Sequence, residues 1–80
     1  MTDADLTERL RVLVVDVTKR DAAPLAPDDD LIQSLGLDSL ESLRVLALVE
    51  KRFGVRFDDA EIHAIRTLRQ LADAVARRRA

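Results

Sequence analysis

Helix-start signals recur three times between residues 38 and 70 and constrain the fold of this chain more than any other feature. Each pairs a short capping residue with a Glu or Gln three positions later: Asp38 with Glu41, Asp58 with Glu61, and Thr67 with Gln70. In such a capping box the short side chain accepts a hydrogen bond from a first-turn N–H, and the longer one reaches back to the cap. The sequence therefore predicts three helices that begin after residues 38, 58 and 67.

Apolar residues at spacings of three and four support these helices and predict another before them. The earlier helix is predicted over residues 3–20, with its stripe at Leu6, Leu10, Leu13, Val14 and Val17. The second helix has a predicted core stripe of Leu43, Leu46, Val49 and Phe53, and Gly54 supplies its left-handed end. The short third helix carries Ile62 and Ile65, and the fourth carries Leu68, Leu71, Ala72 and Val75.

No strand pattern is longer than Val55–Phe57, so we predict an all-α four-helix bundle with three longer helices and one short third helix. A long loop, residues 21–38, joins the first two helices and carries Pro24, Pro27 and Gly36. Its apolar residues are expected to lie across the bundle, with a helical turn at Leu31–Ser34. Eighty residues correspond to one small domain, which we expect to span residues 1–80.

Composition excludes several chemistries. The chain has no Cys and a single His, His63, so a disulfide scaffold, a cysteine nucleophile and a thiolate or histidine metal site are all ruled out. No apolar run approaches the ~18 residues of a membrane span. The first residues are acidic where a signal peptide would be basic. We therefore expect a cytoplasmic protein with no metal and no membrane contact.

The charge pattern argues against nucleic acid as a partner. Between Asp28 and Glu41 the chain has five acidic residues and no basic one. Phosphate binding needs clustered Lys and Arg, so this stretch would repel a nucleic acid backbone. Two interpretations stay open: a surface for a basic partner, or a solvated loop.

Ser39 is the most distinctive candidate for chemistry. No G-x-S-x-G elbow surrounds it, and the chain offers no positioned base, so self-contained hydrolysis is not expected. It occupies the first position of the second helix, where a phosphate would meet free N–H groups and the positive end of the helix dipole. That position suits a serine that another enzyme modifies with a phosphorus-bearing group, although serine is also an ordinary first-turn residue.

Two segments around this serine carry a family pattern: Asp28-Asp29-Asp30-Leu31, and then Leu35-Gly36-Leu37-Asp38-Ser39-Leu40-Glu41. Together they closely resemble the attachment site of acyl carrier proteins, whose order of helices and long loop this chain also shares. The resemblance implies that a phosphopantetheinyl transferase joins 4′-phosphopantetheine from coenzyme A to Ser39. It also implies that Asp38 helps to seat the transferase and its Mg²⁺, besides capping the helix, and that the chain is a non-catalytic carrier of acyl thioesters.

The family resemblance and helical periodicity also give expectations for docking and cargo. We predict partner contacts along the second helix, at Leu40, Glu41, Arg44, Leu48 and Lys51. The candidate acyl lining is Leu43, Leu46, Ala47 and Ile62. The usual run of acids on this helix is missing in this chain, because Arg44, Lys51 and Arg52 outnumber Glu41 and Glu50. That difference favours a polyketide or other specialised pathway over fatty-acid synthesis.

Three other functions stay open on the sequence. The single Gly36 before Leu37 favours the acyl type over peptidyl carriers, but aminoacyl or peptidyl cargo remains an alternative. An unmodified helical interaction module is a rival from another class, and a helix-turn-helix DNA binder is a weaker one. As a carrier, the chain is expected to be a monomer that meets acyl-transferring or condensing enzymes.

Overall fold

The computed structural model describes residues 3–21 and 25–79, without the side chains of Asp3 and Arg79. Within that part the chain forms five helices and no strand: α1 (Asp3–Thr18), α2 (Leu31–Leu35), α3 (Ser39–Phe53), α4 (Asp59–Ala64) and α5 (Leu68–Arg79). The all-α prediction is confirmed. One helix more than predicted is present: α2 lies where a helical turn was expected inside the long connection. Pro24, which belongs to this connection, lies outside the described residues.

Helix α1 lies at the centre and packs against both α3 and α5. Its apolar stripe and that of α5 are buried as predicted, apart from Val17, which packs against the core while partly exposed. Within the described residues, the largest fully buried side chains are those of Leu10, Val14, Val49, Leu68, Leu71 and Val75. Three helices thus bury a single core that fixes the direction of α3, the helix that begins at Ser39.

The face of α3 that is buried differs from the face that apolar spacing predicted. Val45, Leu46 and Val49 are buried, whereas Leu43 is 49% exposed, so its assignment to the core stripe was wrong. Leu48, expected on the outer face, is half-buried against the core. The apolar arc of this helix is wide, because residues 45–49 are all apolar, and packing against α1 decides which part is covered.

The connection between α1 and α3 is held against the start of α5. Backbone hydrogen bonds run from the Leu31 N–H to the Arg66 carbonyl (2.7 Å) and from the Arg69 N–H to the Pro27 carbonyl (3.0 Å). Asp30 caps α2 by accepting from the Gln33 N–H at 3.0 Å, and Gly36 ends it with a left-handed φ of 67°. Such a φ costs glycine little because it has no Cβ. The chain therefore enters α3 from a fixed direction.

Helix α4 is tied to the end of α5 by Arg78. Its guanidinium pairs with Glu61, donates to the Arg56 carbonyl and lies 5.7 Å from the centre of the Phe57 ring. Because α4 has only six residues and none is fully buried, these contacts anchor it to the bundle. Ile62 and His63 of this helix line a cleft together with residues of α3.

Candidate functional site

Asp38 starts α3 with the capping box predicted from the sequence. Its backbone is extended (φ −89°, ψ 176°), and its Oδ1 accepts from the Glu41 N–H at 2.7 Å. Glu41 Oε1 accepts in return from the Asp38 N–H at 3.4 Å. The second predicted box, Asp58 with Glu61, is present at the start of α4. The cap thus fixes the first turn of α3 and the position of the next residue, Ser39.

Ser39 is the first helical residue of α3, and its side chain is exposed. The capping box uses the N–H of Glu41, and the Ser42 N–H donates to the Asp38 carbonyl at 3.0 Å. The N–H groups of Ser39 and Leu40 make no hydrogen bond within the described residues. An exposed hydroxyl therefore stands beside two available donors at the positive end of a 15-residue helix.

A long-range ion pair also stabilises the first turn of α3. Arg20, just after α1, pairs with Glu41, whose side chain also takes part in the cap. The two residues are 21 positions apart, so the pair depends on how α1 packs against α3. Glu41 was predicted to contact partners, and the structure places it in this internal pair.

A cleft of about 510 Å³ opens beside Ser39, between α3 and the segment that contains α4. Its lining includes three of the four residues predicted to shelter an acyl chain: Leu43, Leu46 and Ile62. The fourth, Ala47, lies on the exposed side of α3 and does not line the cleft. Besides Asp38 and Ser39, the cleft is lined by three polar residues that apolar spacing and capping signals did not predict there: Ser42, His63 and Arg66.

The outward side of α3 carries most of the predicted docking residues. Leu40 is 60% exposed, and Arg44 and Lys51 are exposed as well. Leu48, half-buried, offers only part of its side chain.

Two of the acidic residues in the connection form ion pairs with arginines that lie near the start of α5. Asp28 pairs with Arg69 at 2.6 Å, and Asp30 pairs with Arg66 at 2.7 Å. The Arg66 guanidinium, helped by the Gln33 N–H, holds the pKa of the Asp30 carboxyl below its ordinary value. The acidic stretch thus serves in part to attach the connection to α5.

Residues 3–21 and 25–79 contain neither a metal-binding cluster nor a membrane-spanning helix. No group of three or more His, Cys, Asp or Glu side chains is placed to hold a metal ion there. None of the helices in the same part of the chain is long and apolar enough to cross a membrane.

Comparison with known proteins decides the family. A family model described as the phosphopantetheine attachment site matches residues 8–75. The chain belongs to the acyl carrier protein family. The polyketide-8 synthase acyl carrier protein 2 of Streptomyces avermitilis is 41% identical over 61 residues, covering 76% of this chain and 70% of the relative. An acyl carrier protein of Solidesulfovibrio magneticus is 30% identical over 71 residues, covering 89% and 87% of the two chains.

A third acyl carrier protein, from Thermosynechococcus vestitus, is 25% identical over 75 residues and covers 94% of this chain and 93% of its own. Acyl carrier proteins bear 4′-phosphopantetheine, are generally non-catalytic and work with synthase enzymes, so the predicted family and cofactor are confirmed.

Proposed function

We propose that Ser39 is the residue that carries 4′-phosphopantetheine and that the chain transports acyl groups between enzymes as thioesters. The observation that carries this proposal is the position of Ser39, exposed as the first residue of α3, directly after the Asp38 cap. The resemblance of the surrounding Leu-Gly-x-Asp-Ser-Leu motif to the family's attachment site points to the same serine.

The residues at this turn fit a phosphodiester. The Ser39 hydroxyl is accessible to a transferase. The N–H groups of Ser39 and Leu40, which have no partner within residues 3–21 and 25–79, suit the phosphate oxygens. Asp38 holds the turn and, in this proposal, also helps to seat the transferase and its Mg²⁺. The bound group would supply a terminal thiol, which this cysteine-free chain lacks. A flexible tether would raise the effective concentration of the cargo at each enzyme.

The cleft beside Ser39 supports a role in sheltering cargo. Leu46 is buried, Ile62 is half-buried and Leu43 is exposed at the cleft, so apolar side chains begin close to the attachment turn. We therefore propose that acyl chains lie against these three residues, and that Ala47 has no part in the lining.

A polyketide or other specialised pathway is the proposed setting. The 41% identical relative is named as a polyketide synthase carrier, and the outer side of α3 lacks the acids expected of fatty-acid carriers. A fatty-acid pathway, a cytoplasmic location, a monomeric state and a single domain over residues 1–80 stay predictions. Size-exclusion chromatography with light scattering would test the monomer.

The test of the attachment residue is intact mass spectrometry after incubation with coenzyme A, Mg²⁺ and a promiscuous phosphopantetheinyl transferase. We expect wild type to gain one phosphopantetheinyl unit and Ser39→Ala to gain none. Ser42→Ala is the matched control, since Ser42 lines the same cleft one turn later, and it should still be modified. Failure of wild type with several transferases, or modification of Ser39→Ala, would refute the proposal and favour an unmodified interaction module.

A further inference from the structure

Two exposed leucines stand at the start of the helix that carries Ser39. Leu40 is 60% exposed and Leu43 is 49% exposed, and residues three apart are neighbours on a helix surface. An enzyme that acts on a group attached to Ser39 must approach this end of α3. The pair therefore lies where a partner surface would cover it.

The acidic side chains of α3 are already engaged within the chain. Glu41 pairs with Arg20 and accepts from the Asp38 N–H. Glu50 Oε2 accepts a hydrogen bond from the Phe57 N–H at 2.8 Å. Each carboxylate already accepts a hydrogen bond within the chain, and this weakens its attraction for a basic partner.

The basic side chains on the outer side of α3 have no such partners. Arg44 and Lys51 are exposed, and neither makes an ion pair or side-chain hydrogen bond within the described residues. At about 100° per residue, positions 40, 44, 47 and 51 follow one line along the helix. Arg52 is not part of this line; its side chain lines a different groove together with residues of α1. Among the side chains of α3 itself, the charges next to the leucines that have no ion-pair partner are therefore positive.

We infer that this surface binds a partner whose apolar pocket is bordered by carboxylates. The surface consists of Leu40, Leu43, Arg44, Ala47 and Lys51, and is called the leucine–cation face. In such a complex the leucines enter the pocket, and the two cations steer the approach and set the orientation. This inference rests on the proposed function, because it needs an enzyme that comes to Ser39.

The inference is tested by reversing charges on the chain and on a partner enzyme and measuring how tightly the two bind. The first probe is an acyl-transferring enzyme that binds a carrier protein through an apolar pocket bordered by Lys and Arg. The second, called the glutamate-patch enzyme, is the same enzyme with those Lys and Arg residues replaced by Glu. Binding to the unmodified chain is followed by ¹⁵N chemical-shift titration at low salt, for wild type and for Arg44→Glu/Lys51→Glu.

We expect wild type to bind the glutamate-patch enzyme about tenfold more tightly than the basic one, with shifts centred on the first half of α3. The double variant should reverse this preference. Both preferences should shrink near 1 M salt, where the screening length is about 3 Å. The matched control is Arg9→Glu/Arg56→Glu, which changes net charge equally at exposed sites outside the face and should keep the wild-type preference.

Three results would overturn the inference: no binding of wild type to the glutamate-patch enzyme, equal affinity for both probes, or a reversal by the Arg9 and Arg56 control as well. The titration does not need the prosthetic arm. Its outcome is therefore separate from that of the mass measurement on Ser39, so a failure of this inference can be told apart from a failure of the proposed function.

Discussion

Removing the cap of α3 separates two roles of Asp38, one in stability and one in modification. In Asp38→Ala the 2.7 Å hydrogen bond to the Glu41 N–H is lost. The reciprocal bond, at 3.4 Å, is already long and adds little. Because Asp38 is exposed, water can replace its oxygen at the uncapped N–H, and the expected cost is about 1 kcal/mol. For a domain of this size, that lowers Tm by about 4–8 °C.

Thermal unfolding followed by far-UV circular dichroism measures the first role, since the chain has no Trp or Tyr. Asp58→Ala is the matched control, because it removes the same kind of cap (2.8 Å) from α4. Helix α4 has six residues and buries none of them fully, so its first turn can fray alone and the Tm change should be smaller. An unchanged Tm for Asp38→Ala would refute the assignment of a stabilising cap.

The initial rate of phosphopantetheinylation measures the second role. We expect Asp38→Ala to be modified more slowly than wild type, and Asp58→Ala to match wild type. Asp38→Asn keeps a good cap without the charge, so slow modification of this stable variant would assign the effect to the carboxylate. Modification of Asp38→Ala at the wild-type rate would exclude a role with the transferase and leave only the cap.

Two further predictions concern the ion pair at α2 and the cleft. The lowered pKa of Asp30 means that its charge stabilises the fold above pH 3.8, its ordinary pKa, and that this contribution is lost as pH falls through the lowered value. The Tm difference between wild type and Asp30→Asn should therefore shrink in acid, and a difference independent of pH would contradict the pairing with Arg66. Loading the modified chain with a medium-length acyl thioester should shift the methyl NMR signals of Leu46 and Ile62 but not of Val14; unshifted cleft signals would place the cargo in solvent.

The local sequence determined most helix boundaries from α3 onward, whereas α1 was predicted to reach residue 20 and ends at Thr18. Capping boxes, the left-handed glycines and apolar spacing act within a few residues, so they can be read without knowing the fold. The starts of α3 and α4 and the end of α3 at Gly54 follow them. For the same reason the sequence placed Ser39 at the first position of α3, directly after its cap.

The tertiary structure decided which side of α3 is covered and which charges are left free. Leu43 was assigned to the core because the apolar arc of α3 is too wide for spacing alone to choose a face. Helical periodicity placed Glu41 on the docking face but could not predict its ion pair with Arg20, which joins residues 21 positions apart. Packing against α1 settles both features at once: it turns Leu40 and Leu43 toward solvent and brings Arg20 to Glu41. Such contacts depend on how the helices pack, which spacing along one helix does not encode.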